Sequence, residues 1–161
     1  MSVGAVDAGA RLPADVVALL SGDDLDRRVG FTMELLTVDA DGWPRVALLS
    51  AGEVVAADDA HLRLALWPES RSTANLTRTG RGSLAFVHAG SAFTLRLEAS
   101  RASDLRGPEP LAVFDGRVKE VRRDEAAYAR LRSGITFELL DEQAVVARWR
   151  STVERLRGPA A

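Results

Sequence analysis

Few side chains in this sequence can do covalent or metal chemistry. There is no cysteine, which removes thiol catalysis, disulfides, iron–sulfur clusters and cysteine-type zinc sites. With two histidines, His61 and His88, no three-histidine site can form. Both fall in predicted strands with no nucleophile elbow nearby, and the simpler reading of each is an outward-facing strand residue. Asp58 and Asp59 could share acid and base work, but a turn needs such residues anyway. Asp23, Asp24 and Asp26 read as a solvated connector rather than a metal site. The chain has no P-loop, no G-x-G-x-x-G, no H-E-x-x-H, no G-x-S-x-G and no EF-hand loop. Catalytic residues are therefore left unassigned.

Composition narrows the partners. The 161 residues, 47% of them hydrophobic, suit one domain over 1–161, with 1–11 read as a loose leader. Basic and acidic side chains number 21 and 23, a formal net charge of −2, which argues against a general electrostatic nucleic-acid binder. No stretch approaches the ~20 apolar residues that span a bilayer, and the N-terminus lacks the pattern of a signal peptide. The expectation is a soluble, cytoplasmic protein with no membrane partner. The basic residues are 20 arginines and one lysine, Lys119, so a single arginine is weak evidence for a selected guanidinium.

The elements that would position any site are short. Pro13 to Leu20 reads as a helix ended by Ser21-Gly22. The period then changes to two. Phe31 to Val38 and Trp43 to Ser50 read as a hairpin around Asp39-Ala40-Asp41-Gly42, and Val54 to Ala57 and His61 to Trp67 as further strands. A short helix is predicted over Arg71 to Thr79, with Ser70 as N-cap and Gly80 just past its end. Ser83 to Val87 and Ala92 to Arg101 form a hairpin through Ala89-Gly90-Ser91, and Leu111 to Val121 returns to the sheet. Asp124 to Leu131 has helix composition, Ile135 to Leu139 alternates, and Ala144 to Trp149 reads as a last strand. Ser151 to Arg157 reads either as a terminal helix or as an extension of that strand. Sequential hairpins with a few short helices predict a mainly β chain, a closed or partly closed barrel.

One ordered segment carries a resemblance. Leu35 to Pro44 runs into Arg45-Val46-Ala47-Leu48-Leu49-Ser50; the strand ending at Trp67 follows, then Ser70-Arg71-Ser72, Asn75-Leu76 and Gly80 to Phe86. This resembles the pyridoxamine 5′-phosphate oxidase-like split β-barrel family of flavin-binding proteins, over roughly residues 31 to 100. Ile135-Thr136-Phe137, Trp149 and Arg155-Leu156 are a weaker echo of the family's closing region, without the histidine that follows; Arg157 stands there. The resemblance implies FMN as cofactor, with a deazaflavin or haem in related members, and a homodimer with cofactor sites at the subunit interface.

The family site has a readable logic in these residues. The FMN phosphate is a dianion, and a helix N-terminus offers free N–H groups and a favourable dipole. By the resemblance, Ser70, Ser72 and Thr73 supply hydroxyls there, Arg71 a guanidinium, and Arg45 a second one from the neighbouring strand. Ser50 aligns with a residue near the isoalloxazine ring, and Trp67 would stack on or flank it. The bland readings stand beside these: Ser70 as a plain N-cap, the arginines as surface residues, the tryptophans as core or interface. Two departures matter. Ser72 stands where the oxidases carry lysine, and Ser50 where they carry lysine at the strand end.

Three functions follow from this reading. The first is an FMN-dependent oxidoreductase acting on a small molecule and distinct from the true oxidase. The second is a cofactor-free split-barrel binding or regulatory protein. The third, a nucleic-acid-binding barrel, rests only on Arg71, Arg78 and Arg81 near one helix and is disfavoured for want of aromatic platforms.

Overall fold

Alternating apolar residues build the sheet. In the computed structural model, which describes residues 6–7 and 9–158, the strands are β1 (Val6–Asp7), β2 (Thr32–Val38), β3 (Pro44–Ser50), β4 (Val54–Ala56), β5 (His61–Leu66), β6 (Arg81–His88), β7 (Ser91–Arg101) and β8 (Ala112–Asp124). The helices are α1 (Ala14–Leu19), α2 (Arg71–Thr79) and α3 (Glu142–Arg157), with a 3-10 turn at Leu25–Arg28. All strand pairs are antiparallel, in the order β3-β2-β6-β7-β8-β5-β4, with β1 paired to β8 off this path. The sheet curls as a half-barrel, the split β-barrel expected from the sequence. No helix among the described residues is long and apolar enough to cross a membrane.

The curled sheet buries one core inside and a second outside. Leu35, Leu64, Leu84, Leu95 and Phe114 lie in the inner core, and α1 adds Val16 and Leu19 to it. The outer core lies under α3, where Val146, Trp149, Val153 and Leu156 meet Val55, Ala65 and Val113. Strands β4, β5 and β8 thus feed both cores, Val54, Leu64 and Phe114 going to the inner one and Val55, Ala65 and Val113 to the outer. The β6–β7 turn has positive φ at both Ala89 and Gly90, the conformation a two-residue hairpin requires.

The C-terminal half departs from the sequence reading. Ala144 to Trp149 is not a strand; α3 runs through it to Arg157. The reason is the apolar spacing of Val146, Trp149, Val153 and Leu156, which is three to four residues and puts all four on one helix face. Residues 125–131 form turns around an Ala126–Ala129 bridge, not a helix, and 135–139 are not a strand. The leader is not wholly loose. Val6 and Asp7 pair with Arg123 and Arg122, and Arg11 meets Asp59 at 2.6 Å. The rest of the predicted leader, residues 1–5 and 8, lies outside the described residues.

Candidate functional site

Helix α2 forms where local signals demand it. Ser70 Oγ accepts the Thr73 N–H at 3.1 Å and donates to Thr73 Oγ1, which itself donates to the Trp67 carbonyl at 2.7 Å. At the other end Gly80 takes a left-handed conformation (φ 63°), and its N–H bonds the Leu76 carbonyl. The hydroxyls of Ser70 and Thr73 are therefore occupied within the cap. Ser72 is buried beside them, while Arg71 is exposed at the first turn.

Arg45 is held by a carboxylate. Its Nε and Nη2 donate to Asp39 at 2.8 and 3.0 Å, a bidentate pair across the β2–β3 hairpin. Asn75 of α2 donates to the same carboxylate at 2.8 Å and to Thr37 at 3.1 Å. Hydrogen bonds from Arg45 and then Asn75 pull the Asp39 pKa down to about 2, and the Arg71 charge adds to the effect. Asp39 thus draws Arg45, α2 and Arg71 into one electrostatic cluster. The sequence reading missed this residue because it serves as a turn former first: its backbone closes the hairpin with Gly42 and Trp43.

Ser50 and Trp67 lie apart from that cluster, in the wall of a cleft of about 590 Å³. The size suits a small molecule. Leu48, Leu49 and Trp67 line it together with Phe137, Val145 and Trp149, so α3 contributes to the cleft. Trp149 seats against Gly52; a Cβ there would lie 2.2 Å from the indole Cγ, so only glycine fits beneath the ring. Ser50 donates through both its N–H and Oγ to Glu53 Oε2, at 2.6 and 2.7 Å. The structure therefore divides the seven expected residues. Arg45 and Arg71 converge on Asp39, Ser70 and Thr73 form the cap beside Ser72, and Ser50 and Trp67 line the cleft. Trp67 links the groups, its side chain in the cleft wall and its carbonyl in the α2 cap.

Sequence reasoning missed Thr32 and Glu53; Phe137, Trp149 and Arg155, which enter it only as a weak echo of the family's closing region, line the cleft, but the helix that carries the last two reads in part as a strand. A helical period over residues 142–157 could have revealed α3; nothing local marks Thr32.

The remaining chemical candidates resolve into structure. Asp58 accepts from Ala60 N–H, His61 N–H and the His61 ring, which hold its carboxyl below the ordinary range, the Ala60 bond contributing most. His88 Nε2 lies 3.5 Å from Asp15. Asp23 and Asp26 pair with Arg157 and Arg150, fastening α3. No acidic or histidine cluster suited to a metal occurs among the described residues.

No protein-family model matches the chain. It is 35% identical over 140 residues to the uncharacterized protein YclD of Bacillus subtilis, covering 86% of this chain and 91% of YclD. A structure provisionally assigned as a pyridoxamine 5′-phosphate oxidase from Lactobacillus delbrueckii matches with TM-score 0.55 and 21% identity, over 71% of this chain and 95% of that one. A structure named F420 reductase matches at 0.51 and 14% identity, over 68% and 98%. A heme binding protein from Mycobacterium smegmatis matches at 0.50 and 16%, over 81% and 60%. The antiparallel half-barrel and these matches agree on the fold: the chain belongs with YclD in sequence and has the split β-barrel fold of these structures.

Proposed function

We propose that the chain binds a flavin-type cofactor, FMN, and works as an oxidoreductase on a small molecule, without being the true pyridoxamine phosphate oxidase. The observation that carries this reading is the double role of Trp67. It lines a cleft of mixed apolar and polar walls sized for a small ligand, and its carbonyl anchors the cap of the helix whose N-terminus suits a phosphate. In this reading the ring lies against Leu48, Ser50 and Trp67. The phosphate meets Arg71 and the first N–H groups of α2 beside Ser70, Ser72 and Thr73. Bound flavin would supply the redox chemistry; the chain orients it and screens it from water. Neither His61 nor His88 lines the cleft, which favours a flavin or deazaflavin over haem there.

The second reading, a site that holds cofactor loosely or not at all, also has an observation behind it. Arg45 is already bidentate to Asp39, and Ser72 supplies no charge, so Arg71 is the main cation left for a phosphate. An absorbance spectrum of the purified protein, before and after soaking with FMN and desalting, separates the two. Retained flavin bands support the first reading, and a colourless protein after soaking refutes it. Arg71→Ala should weaken FMN binding by roughly 10- to 100-fold, the worth of one charge-assisted contact. Equal affinity in the variant would remove Arg71 from the site.

A further inference from the structure

One corner of the cleft carries polar groups that the reading above leaves unused. Thr32 begins β2 and Ser50 ends β3, and the register pairs them directly. Thr32 belongs to the cleft wall and is 5% exposed, yet its hydroxyl is buried without any hydrogen-bond partner. A buried hydroxyl left alone is costly, and native structures rarely keep one without a use. Across the strand pair, Glu53 accepts both Ser50 donors on Oε2, which leaves Oε1 without a protein partner among the described residues. A carboxylate oxygen only accepts, whereas a threonine hydroxyl can donate. The corner therefore offers one acceptor and one donor on either side of Ser50, while Leu48, Leu49, Trp67, Phe137 and Trp149 give the lining apolar surface and Glu109, Arg148 and Arg155 add further charged groups to it. The complementary ligand edge has an N–H donor beside a carbonyl, carried on a flat apolar ring.

We propose that Glu53 and Thr32 read the imide edge of a heteroaromatic ring, Glu53 Oε1 accepting the ring N–H and Thr32 Oγ1 donating to the adjacent ring carbonyl. This rests on the reading that the cleft takes a flavin-type ring, and it deepens that reading. Isoalloxazines and deazaflavins both present such an edge. Haem carries no such edge. The corner is thus a specificity device that selects the ring class, while the phosphate end at α2 is indifferent to the ring.

The test uses the full chain, titrated with FMN and with FMN methylated at the imide nitrogen. Wild type should prefer FMN by about 10-fold or more. Glu53→Gln keeps an oxygen for Ser50 but loses the charge; it should bind FMN about 10-fold more weakly, and Thr32→Val about 3- to 10-fold. Both variants should lose most of the discrimination against the methylated ligand. Without ligand, Thr32→Val should melt no lower than wild type, because it removes a hydroxyl with no partner to lose. A lower melting point would mean that the hydroxyl serves the fold, and the proposal would fall. Equal affinity of wild type for the two ligands, or unchanged FMN affinity in both variants, would overturn this proposal alone. A wild type that binds neither ligand would overturn it together with the flavin reading.

Discussion

Asp39 sets how much charge Arg45 can lend to a ligand. Its carboxylate takes two guanidinium bonds and one amide bond, so it stays ionised far below neutral pH. Its folded pKa, about 2, is depressed from the ordinary 3.8. The sign follows from linkage. The stabilisation is fully present above the unfolded value and is lost as pH falls from about 4 through about 2. Asp39→Asn should therefore lower stability at pH 7, and the gap from wild type should close in urea titrations run at pH 2–3. A gap that persists undiminished at pH 2 would show that the carboxylate matters for shape rather than charge. The same substitution releases Arg45 and removes a negative charge next to Arg71. It should tighten binding of FMN while leaving riboflavin, which lacks the phosphate, unchanged. Ser70→Ala separates capping from ligation: losing the cap costs about 1 kcal/mol of stability. Because the Ser70 hydroxyl is already engaged by Thr73, FMN affinity at saturating fold stability should change little.

Helix α3 is the element the cleft cannot do without. Arginines hold it at several points. Arg63 donates to the carbonyls of Leu156 and Gly158 at 2.7 Å each, Arg150 pairs with Asp26, and Arg157 with Asp23. Between these clamps Trp149, 4% exposed, lies on Gly52. Gly52→Ala should push the indole away and destabilise the chain by about 1–3 kcal/mol, the usual cost of overpacking. Tryptophan emission checks it: Trp149 is the buried tryptophan, with Trp43 and Trp67 exposed, so the variant should shift to the red. An unshifted spectrum and unchanged stability would mean that the helix does not seat as described. The contrast between α2 and α3 shows what was legible in the sequence. The Arg71 to Thr79 helix, its Ser70 cap and its Gly80 terminator were readable because capping is local chemistry within a few residues. Helix α3 was legible only in its second half, where Ser151 to Arg157 offered a helix as one of two readings; the six residues 144–149 contain less than two turns and fit either period. Its face becomes visible only when Val146, Trp149, Val153 and Leu156 are taken together. The Thr32–Ser50 pair and the Asp39–Asn75 bond were illegible for a different reason. They depend on strand register and on a helix crossing back over 36 residues of chain, which no local pattern encodes.

At the scale of the whole molecule, the edge strand β3 carries the unfinished surface. Arg45, Ala47 and Leu49 alternate with Pro44, Val46, Leu48 and Ser50 along it. Leu49 goes to the inner core, while Val46 and Leu48 stay 54% and 55% exposed. Val38 and Trp43, at the hairpin end, are exposed as well. A long apolar edge strand left in water invites association, and monomeric proteins blunt such edges with charge. Here the outward positions carry none, so a second copy of the chain is the expected cover, in keeping with the homodimer that the family resemblance implies. Leu48 also lines the cleft, so a partner on this face would lie against the cleft and help shield its ligand from water. Two outcomes are expected. Sedimentation of the wild type at micromolar concentration should give a dimer. Val38→Glu with Val46→Glu should give a folded monomer, since both side chains are already solvent-facing, neither supports the inner core and neither lines the cleft. If the cleft works only when covered, the monomer should bind FMN at least 10-fold more weakly, with its circular dichroism unchanged. A monomeric wild type that binds FMN tightly would place the complete site within one chain and leave the β3 face to some other partner.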